Sequence, residues 1–106
     1  MYIINNEKIS IMKRNFNIYC EGGAILAIDH VMQKPMGLVA VGEVKKGLVS
    51  KGEAAGIKAE NKEAIFGEVI RIEIDYKGVS SAKEGRLIGV CLDNISKEDL
   101  IDYFRW

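Results

Sequence analysis

The stretch "GLVAVGEVKKGLVSKGEA", residues 37–54, repeats glycine, an apolar residue and a charge at short intervals. Strands of a small barrel bend sharply at its corners, and glycine tolerates the backbone angles needed there. The pattern therefore predicts bends at Gly47 and Gly52, and it predicts that the valines of the stretch fill the interior between bends. Lys45 and Lys46 fall in the exposed turn, where charge opposes pairing between sheet edges. The stretch lacks the Gly-Lys-Ser/Thr ending of a phosphate-binding loop.

Short strand patterns separated by turns recur along the rest of the chain. The clearest is "AIFGEVIRIEID", residues 64–75, in which apolar and charged residues alternate imperfectly. "RLIGVCL", residues 86–92, is apolar almost throughout, as expected of a strand buried on both faces. "YII" and "KISIM" flank "NNE" near the N-terminus and predict a tight hairpin. The best helix signal is "SKEDLIDYF", with Ser96 as the cap and Asp99 three residues on. Together these patterns predict a small all-β barrel or sandwich.

Composition narrows the class of protein. The 106 residues suffice for one domain, and a formal net charge of zero provides no global field toward nucleic acid or an anionic membrane. The longest apolar stretches are too short to span a bilayer, and the N-terminus lacks the order of a signal peptide. Two cysteines without paired spacing count against a disulfide framework or a zinc site. We therefore expect a cytoplasmic protein with no membrane partner.

Two separated segments resemble a known family. In the first, Val49, Gly52 and Glu53 end a glycine-valine rhythm as Val-x-x-Gly-Glu, and in the second, "VIRIEIDYKGVSSAKEGRLIGVCLDNISKEDL" runs on without a gap. Both resemble the second domain of elongation factor Tu and related translational GTPases, and "AILAIDHV" resembles that domain's first strand. The resemblance implies a closed, six-stranded, Greek-key-like barrel over residues 23–106, standing alone. Residues 1–22 lie outside it and are expected to form an N-terminal extension, a hairpin packed on the barrel.

The same resemblance suggests where a ligand would lie. Glu73 matches a glutamate beside which the terminal adenosine of tRNA packs in the elongation factor. Tyr76, Leu87 and Asp93 stand where the family usually has arginine, asparagine and arginine, and these changes count against capture of aminoacyl-tRNA, because phosphate contacts depend on cations. The GTPase domain is absent, so no GTP binding is expected. The binding residues predicted from the sequence are Glu73, Lys77, Arg86, Lys45 and Lys46.

Catalytic interpretations of individual residues are weaker. Cys91 lies in an apolar strand and is expected to be buried, whereas Cys20 beside a turn is expected to be more accessible, with His30 as a possible basic partner. Glu73 and Asp75 are expected on one strand face, about 7 Å apart, as a solvated pair near basic neighbours. The aromatic tail is expected to pack back on the barrel. We predict no catalytic residue, no metal site and no cofactor.

The sequence thus favours a non-catalytic binding module for RNA, a ribosome-associated component or a protein partner. Two alternatives remain open. One is a small thiol- or carboxylate-dependent enzyme that uses Cys20 or the Glu73 and Asp75 face. The other is a structural domain that forms oligomers through its N-terminal strands.

Overall fold

A computed structural model describes the backbone of residues 11–106 and the side chains from residue 13 onward. Within that range ten strands precede a single helix. The strands are β1 (Ile11–Met12), β2 (Phe16–Cys20), β3 (Ile25–Lys34), β4 (Gly37–Lys46), β5 (Leu48–Ser50), β6 (Ala54–Ile57), β7 (Ile65–Ile74), β8 (Lys77–Val79), β9 (Ser81–Lys83) and β10 (Leu87–Asp93), and the helix is α1 (Lys97–Phe104).

Six of the strands form a closed antiparallel barrel, as predicted. Around the ring the order is β2, β3, β4, β10, β7 and β6, and β6 pairs again with β2. The chain therefore makes three neighbouring strands, crosses to the far side, and inserts its last strand between β4 and β7, which is a Greek-key arrangement. Outside the ring, β1 pairs with β3 and β8 pairs with β7. β5 pairs with β9 in a separate two-stranded sheet.

The ring begins earlier in the chain than the expected boundary between residues 22 and 23. Phe16–Cys20 is a full member of the barrel, because Tyr19 and Cys20 pair with Gly56 and Ala55 and thereby close the ring. β1 is an extra strand outside the ring. The hairpin predicted around "NNE" lies outside the described residues.

The interior is aliphatic, but the valines of the opening stretch are divided between two faces. On β4 the buried positions are Leu38, Ala40, Gly42 and Val44, whereas Val39 and Val41 lie on the outer face and are only half-buried. The prediction that the valines fill the interior is therefore wrong for those two residues, because strand alternation places them opposite the inward leucine and alanine.

Gly42 and Gly67 allow the barrel to close at two points. A Cβ atom on Gly42 would lie 2.0 Å from the carbonyl oxygen of Ala27, and one on Gly67 would lie 2.2 Å from that of Asp93. Neither position has room for any side chain, because real Cβ atoms do not approach oxygen so closely. Gly47 and Gly52 have positive φ, as expected at bends.

The ring contains three register shifts, and two of them lie where they re-aim side chains of the outer surface. On β7, Cys91 pairs with Arg71 and Leu92 pairs with Val69, so one extra residue, Ile70, interrupts the alternation that the sequence showed only imperfectly. On β3, Asp29 is the extra residue of a second bulge. Because a bulge bends its strand and re-aims side chains, Asp29 and the next residue can both stand on the outer surface.

The Glu53 carboxylate joins two turns. Its Oε1 accepts a hydrogen bond from the backbone N–H of Gly22 at 2.8 Å, and its Oε2 accepts one from Ser50 N–H at 2.6 Å. The glutamate that ends the glycine-valine rhythm thus satisfies backbone donors from the β2–β3 and β5–β6 connections. Its role in this structure is architectural.

The C-terminal helix and tail pack as predicted. Ser96 and Asp99 form a reciprocal capping box at the start of α1. The aromatic rings of Phe104 and Trp106 stack with their centroids 4.8 Å apart. Their centroids lie 5.6 and 5.9 Å, respectively, from that of Phe16 on β2. The aromatic tail therefore packs against the inward face of β2, which Phe16 shares with the buried Ile18 and Cys20.

We predict that Gly42→Ala destabilises the barrel by at least about 2 kcal/mol, because the added methyl group must displace the backbone of β3. Urea denaturation monitored by circular dichroism measures the change. Gly89→Ala is the matched control on the neighbouring strand, since a Cβ there would meet nothing closer than 3.8 Å. Equal stability of the two variants would contradict the assignment of Gly42 as a closure point.

Candidate functional site

A groove of about 450 Å³ lies on the outer surface of the barrel across β3, β4, β10 and β7. Its lining combines aliphatic, sulfur-containing and charged side chains: His30, Met32, Lys34, Met36, Val39, Val41, Arg71, Glu73, Asp75, Tyr76, Leu87, Ile88, Gly89 and Cys91. The floor of the groove is therefore formed by the outward positions of four neighbouring strands, and the turn residues Met36, Asp75 and Tyr76 complete its lining. A site built on strands is held rigidly by the barrel beneath it.

Strand register arranges the floor in two rows of cross-strand neighbours. The first row runs through Met32, Val39, Cys91 and Arg71. The second runs through His30, Val41, Gly89 and Glu73. Neighbours within a row are about 5 Å apart, and the two rows are about 7 Å apart. The middle of the floor is apolar, and charged groups stand on the β7 side.

Gly89 leaves an indentation in the middle of the second row. A Cβ atom at this position would have Val39 as its nearest neighbour, at 3.8 Å, and the backbone φ lies outside the left-handed region. Neither backbone strain nor lack of space therefore requires glycine here. Its missing side chain leaves open a space that the flanking Val41 and Glu73 do not fill.

An ion pair marks the β7 side of the groove. Arg71 Nε donates to Glu73 Oε2 at 2.5 Å, and both side chains are partly exposed. The arginine also lies over Gly78 of β8, where a Cβ would meet its guanidinium nitrogen at 3.1 Å. Arg71 is thus a basic neighbour of Glu73, of the kind that the sequence predicted for this strand face. Asp75 does not continue the strand face with Glu73, because it lies in the turn that follows β7.

That turn carries an exposed aromatic residue in a strained conformation. Ile74 pairs with Lys77, so Asp75 and Tyr76 form a two-residue hairpin loop, and both have positive φ, 52° and 68°. This is the type I′ arrangement, which normally uses Asn-Gly or Asp-Gly. The Tyr76 side chain is 95% exposed beside the groove. Its strained backbone and its exposure make Tyr76 a candidate binding residue.

Two further exposed apolar side chains border the groove. Leu87 is 72% exposed and Met36 is 58% exposed. Met36 lies in the β3–β4 turn at one end of the groove, and Leu87, which pairs with Glu43, lies toward the other end. Sequence reasoning noted Tyr76 and Leu87 only as departures from a family pattern. The "IDYK" sequence between two strands, with no glycine, was the signal that could have identified the turn.

The structure distributes the other predicted binding residues around this surface. Lys77 directly follows Tyr76 at the start of β8. Lys45 and Lys46 are the last residues of β4. Lys45 Nζ lies 3.6 Å from Glu43 Oε1 in an ion pair. The backbone carbonyl of Arg86 accepts a hydrogen bond from Val44 N–H beside them. Among the five predicted residues only Glu73 lines the groove, so binding by the four cations stays a prediction.

The cysteine and histidine candidates lie apart. Cys20 is 7% exposed and faces the barrel interior, so the expectation that it is accessible is wrong. The backbone N–H of Cys20 donates a hydrogen bond to the carbonyl oxygen of Ala24. Ala24 precedes His30 by six residues, which is a separation of roughly 20 Å by strand rise. His30 lies on the outer face, where its Nδ1 is 2.5 Å from Asp29 Oδ1. A catalytic pair of Cys20 and His30 has no support in this geometry.

Both thiols are held in their neutral form. Burial, followed by the nearby Glu53 carboxylate, raises the pKa of Cys20 from 9.0 to about 12. Burial also raises the pKa of Cys91, and the carboxylates of Glu73 and Asp93 add to the effect. A nucleophilic cysteine needs the opposite shift, toward a thiolate at neutral pH.

The chain was compared with known proteins. A scan against protein-family models finds no match, and a search among curated proteins finds no similar sequence. The resemblance to the second domain of elongation factor Tu therefore stays a prediction. Within residues 11–106 no helix is long and apolar enough to cross a membrane. In the same part of the chain no three His, Cys, Asp or Glu side chains gather as a metal site.

We predict that Tyr76→Gly stabilises the protein by about 1 kcal/mol, because glycine adopts positive φ without the penalty that tyrosine bears. Thermal denaturation measures the effect as a rise of several degrees in Tm. Leu87→Gly is the control, since it removes another exposed apolar side chain from a regular strand and should destabilise. A loss of stability in Tyr76→Gly would contradict the assignment of strain.

The raised thiol pKa predicts how stability depends on pH. The folded state keeps Cys20 protonated up to about pH 12, whereas the unfolded thiol ionises near 9. The free energy of unfolding should therefore fall as the pH rises from about 9 toward 12, and less steeply in Cys20→Ala. Alkylation by iodoacetamide at pH 8 should be slow at Cys20 in the folded protein and fast in urea. Rapid alkylation of Cys20 in the folded protein would contradict its burial and raised pKa, and it would support the alternative of a thiol-dependent enzyme.

Proposed function

We propose that this chain is a non-catalytic binding module whose outer groove receives a large apolar side chain from a protein partner. The observation that carries the proposal is the indentation at Gly89, open to the surface and bordered by the exposed Tyr76. Apolar side chains exposed together mark interaction sites, and aromatic residues supply much of the binding energy at such sites.

The rim charges favour a protein partner over RNA. Arg71 and Lys34 contribute positive charge, but Glu73 and Asp75 line the same groove and balance them. A nucleic-acid surface needs an excess of cations to hold phosphates, and base readout alone gives little affinity. A mixed rim around an apolar centre is the usual composition of a protein–protein interface.

Within residues 13–106 neither cysteine is activated as a nucleophile, which supports a passive role. The Cys91 thiol on the groove floor has a raised pKa, and the Glu73 carboxylate is already bonded to Arg71. General acid–base catalysis needs a titrating group free to exchange a proton with a substrate. The groove is therefore better suited to hold a side chain than to transform one.

A random peptide library displayed on phage and selected against the protein tests the proposal. We expect enrichment of peptides with a large aliphatic or aromatic residue, and binding of a selected peptide measured by calorimetry. Gly89→Leu should weaken that binding at least tenfold, because the new side chain occupies the indentation without straining the backbone. Tyr76→Gly should weaken it similarly while it stabilises the fold.

Leu48→Ser is the matched control, because Leu48 is 51% exposed on the separate β5–β9 ribbon. Its affinity for the selected peptide should equal that of the wild type. Peptides that bind Gly89→Leu as well as the wild type would overturn the proposal. Failure to select any peptide, together with binding to total RNA that weakens steeply with salt, would favour the RNA-binding alternative instead.

A further inference from the structure

A second cavity, of about 510 Å³, lies between α1 and the first residues of β7. We call it the helix cleft. Phe66 lines this cleft, and Glu73 of the groove follows it by seven residues on β7, roughly 20 Å by strand rise. The two cavities therefore occupy different regions of the surface, and what binds in one is independent of what binds in the other.

One side of the helix cleft is apolar and includes an exposed aromatic ring. Ile65 and Ile95 contribute aliphatic surface, and Phe66 contributes a side chain that is 64% exposed. The Phe66 ring rests on Gly56 of β6, because a Cβ at that glycine would lie 2.9 Å from Phe66 Cε1. Packing on the glycine holds the ring in place, and its remaining surface is open to a ligand.

The other side of the helix cleft is acidic. Asp99 and Asp102 are three residues apart on α1, so they lie side by side on one helix face with Cβ atoms about 5–6 Å apart. Asp99 Oδ2 accepts a hydrogen bond from Ser96 N–H at 2.8 Å, whereas Asp102 forms no ion pair within residues 13–106. Among the described residues, those that line the cleft include no lysine, arginine or histidine.

The position of Asp102 is unfavourable for the helix itself. Asp102 lies in the last turn of α1, where the helix dipole favours cations, and that turn contains no basic residue. Its charge also repels that of Asp99 one turn earlier. The core gains nothing from this carboxylate, because Asp102 is exposed. A bound cation would relieve both penalties.

Lys62 lies near the helix cleft but does not line it. Its Nζ donates to the backbone carbonyl of Tyr103 and lies 5.0 Å from the centroid of the Tyr103 ring. The Tyr103 hydroxyl donates to the carbonyl of Glu63 and accepts a hydrogen bond from Ala59 N–H. These bonds fix the helix to the β6–β7 connection. Lys62 is thus committed to the end of the helix, and the Asp102 carboxylate keeps its place for a cation from outside.

We propose that the helix cleft is a docking site for an arginine side chain of a protein partner. The methylene groups of the arginine pack on Ile65 and Ile95, and its guanidinium plane stacks on the ring of Phe66. Its N–H groups donate to the carboxylates of Asp99 and Asp102. Lysine fits less well, because only the planar guanidinium combines stacking with a fork of donors. The acidic wall repels the phosphates of a nucleic acid.

A random peptide library on phage, selected against the Gly89→Leu variant, tests the site, because that variant has its groove filled. We expect the selected peptides to share an arginine beside an aliphatic residue. Calorimetry then measures the binding of one such peptide to the wild-type chain. Replacement of its arginine by citrulline, which keeps the shape but lacks the charge, should weaken binding at least tenfold. Rising salt should also weaken it.

Variants of the chain assign the effect to the helix cleft. Asp102→Asn should weaken binding of the selected peptide at least tenfold. Phe66→Leu should weaken it about threefold, because leucine keeps apolar surface but has no ring face. Glu98→Gln is the matched control, since it removes one negative charge from the same helix at a position outside the lining, and its affinity should stay within twofold of the wild type. Circular dichroism of each variant excludes unfolding as the cause of a loss.

Three results would overturn the proposal: selected peptides that share no arginine, equal affinity of Asp102→Asn and the wild type, or an equal loss in Glu98→Gln. Amide chemical shifts locate the bound peptide, and we expect the changes to centre on Phe66 and Ile95. Changes centred on Gly89 and Tyr76 would place the peptide in the groove and overturn the arginine site, while the proposal for the groove would stand.

Discussion

Backbone contact at two glycines is the constraint on which the rest of this barrel depends. At Gly42 and Gly67 the neighbouring strand lies so close that its carbonyl oxygen occupies the space of a side chain. Such contact is what lets a ring of only six strands close around a core of aliphatic side chains. The strand curvature in turn depends on bulges at Asp29 and Ile70, which add a residue on one strand only.

Closure also determines where the groove lies. Once β10 stands between β4 and β7, the outward residues of four strands form a continuous surface. The Asp29 bulge then adds a carboxylate beside His30 on that surface, and the Ile70 bulge turns Arg71 and Glu73 to the outer face of β7. Binding residues and architectural residues are therefore linked through strand register.

The sequence predicted the barrel well because its signals are local. Gly47 and Gly52 mark bends by their backbone requirements, and Ser96 with Asp99 identifies the start of the helix. The site was harder to predict because register is not visible in one sequence. Nothing local places Met32, Cys91 and Arg71 in one row, and the Asp29 bulge reverses the facing that simple alternation assigns to His30.

The order of strands around the ring affects how the chain can fold during synthesis. Among the six ring strands β10 is the last to leave the ribosome, yet it lies between β4 and β7 and completes the barrel. The aromatic cover of Phe16 arrives later still, with Phe104 and Trp106. Growth from the N-terminus therefore yields an open sheet with unpaired edges on β4 and β7, and such edges invite association between nascent chains. Closure can follow only after residue 93 has emerged, so this barrel gains its protection from aggregation in a single late step.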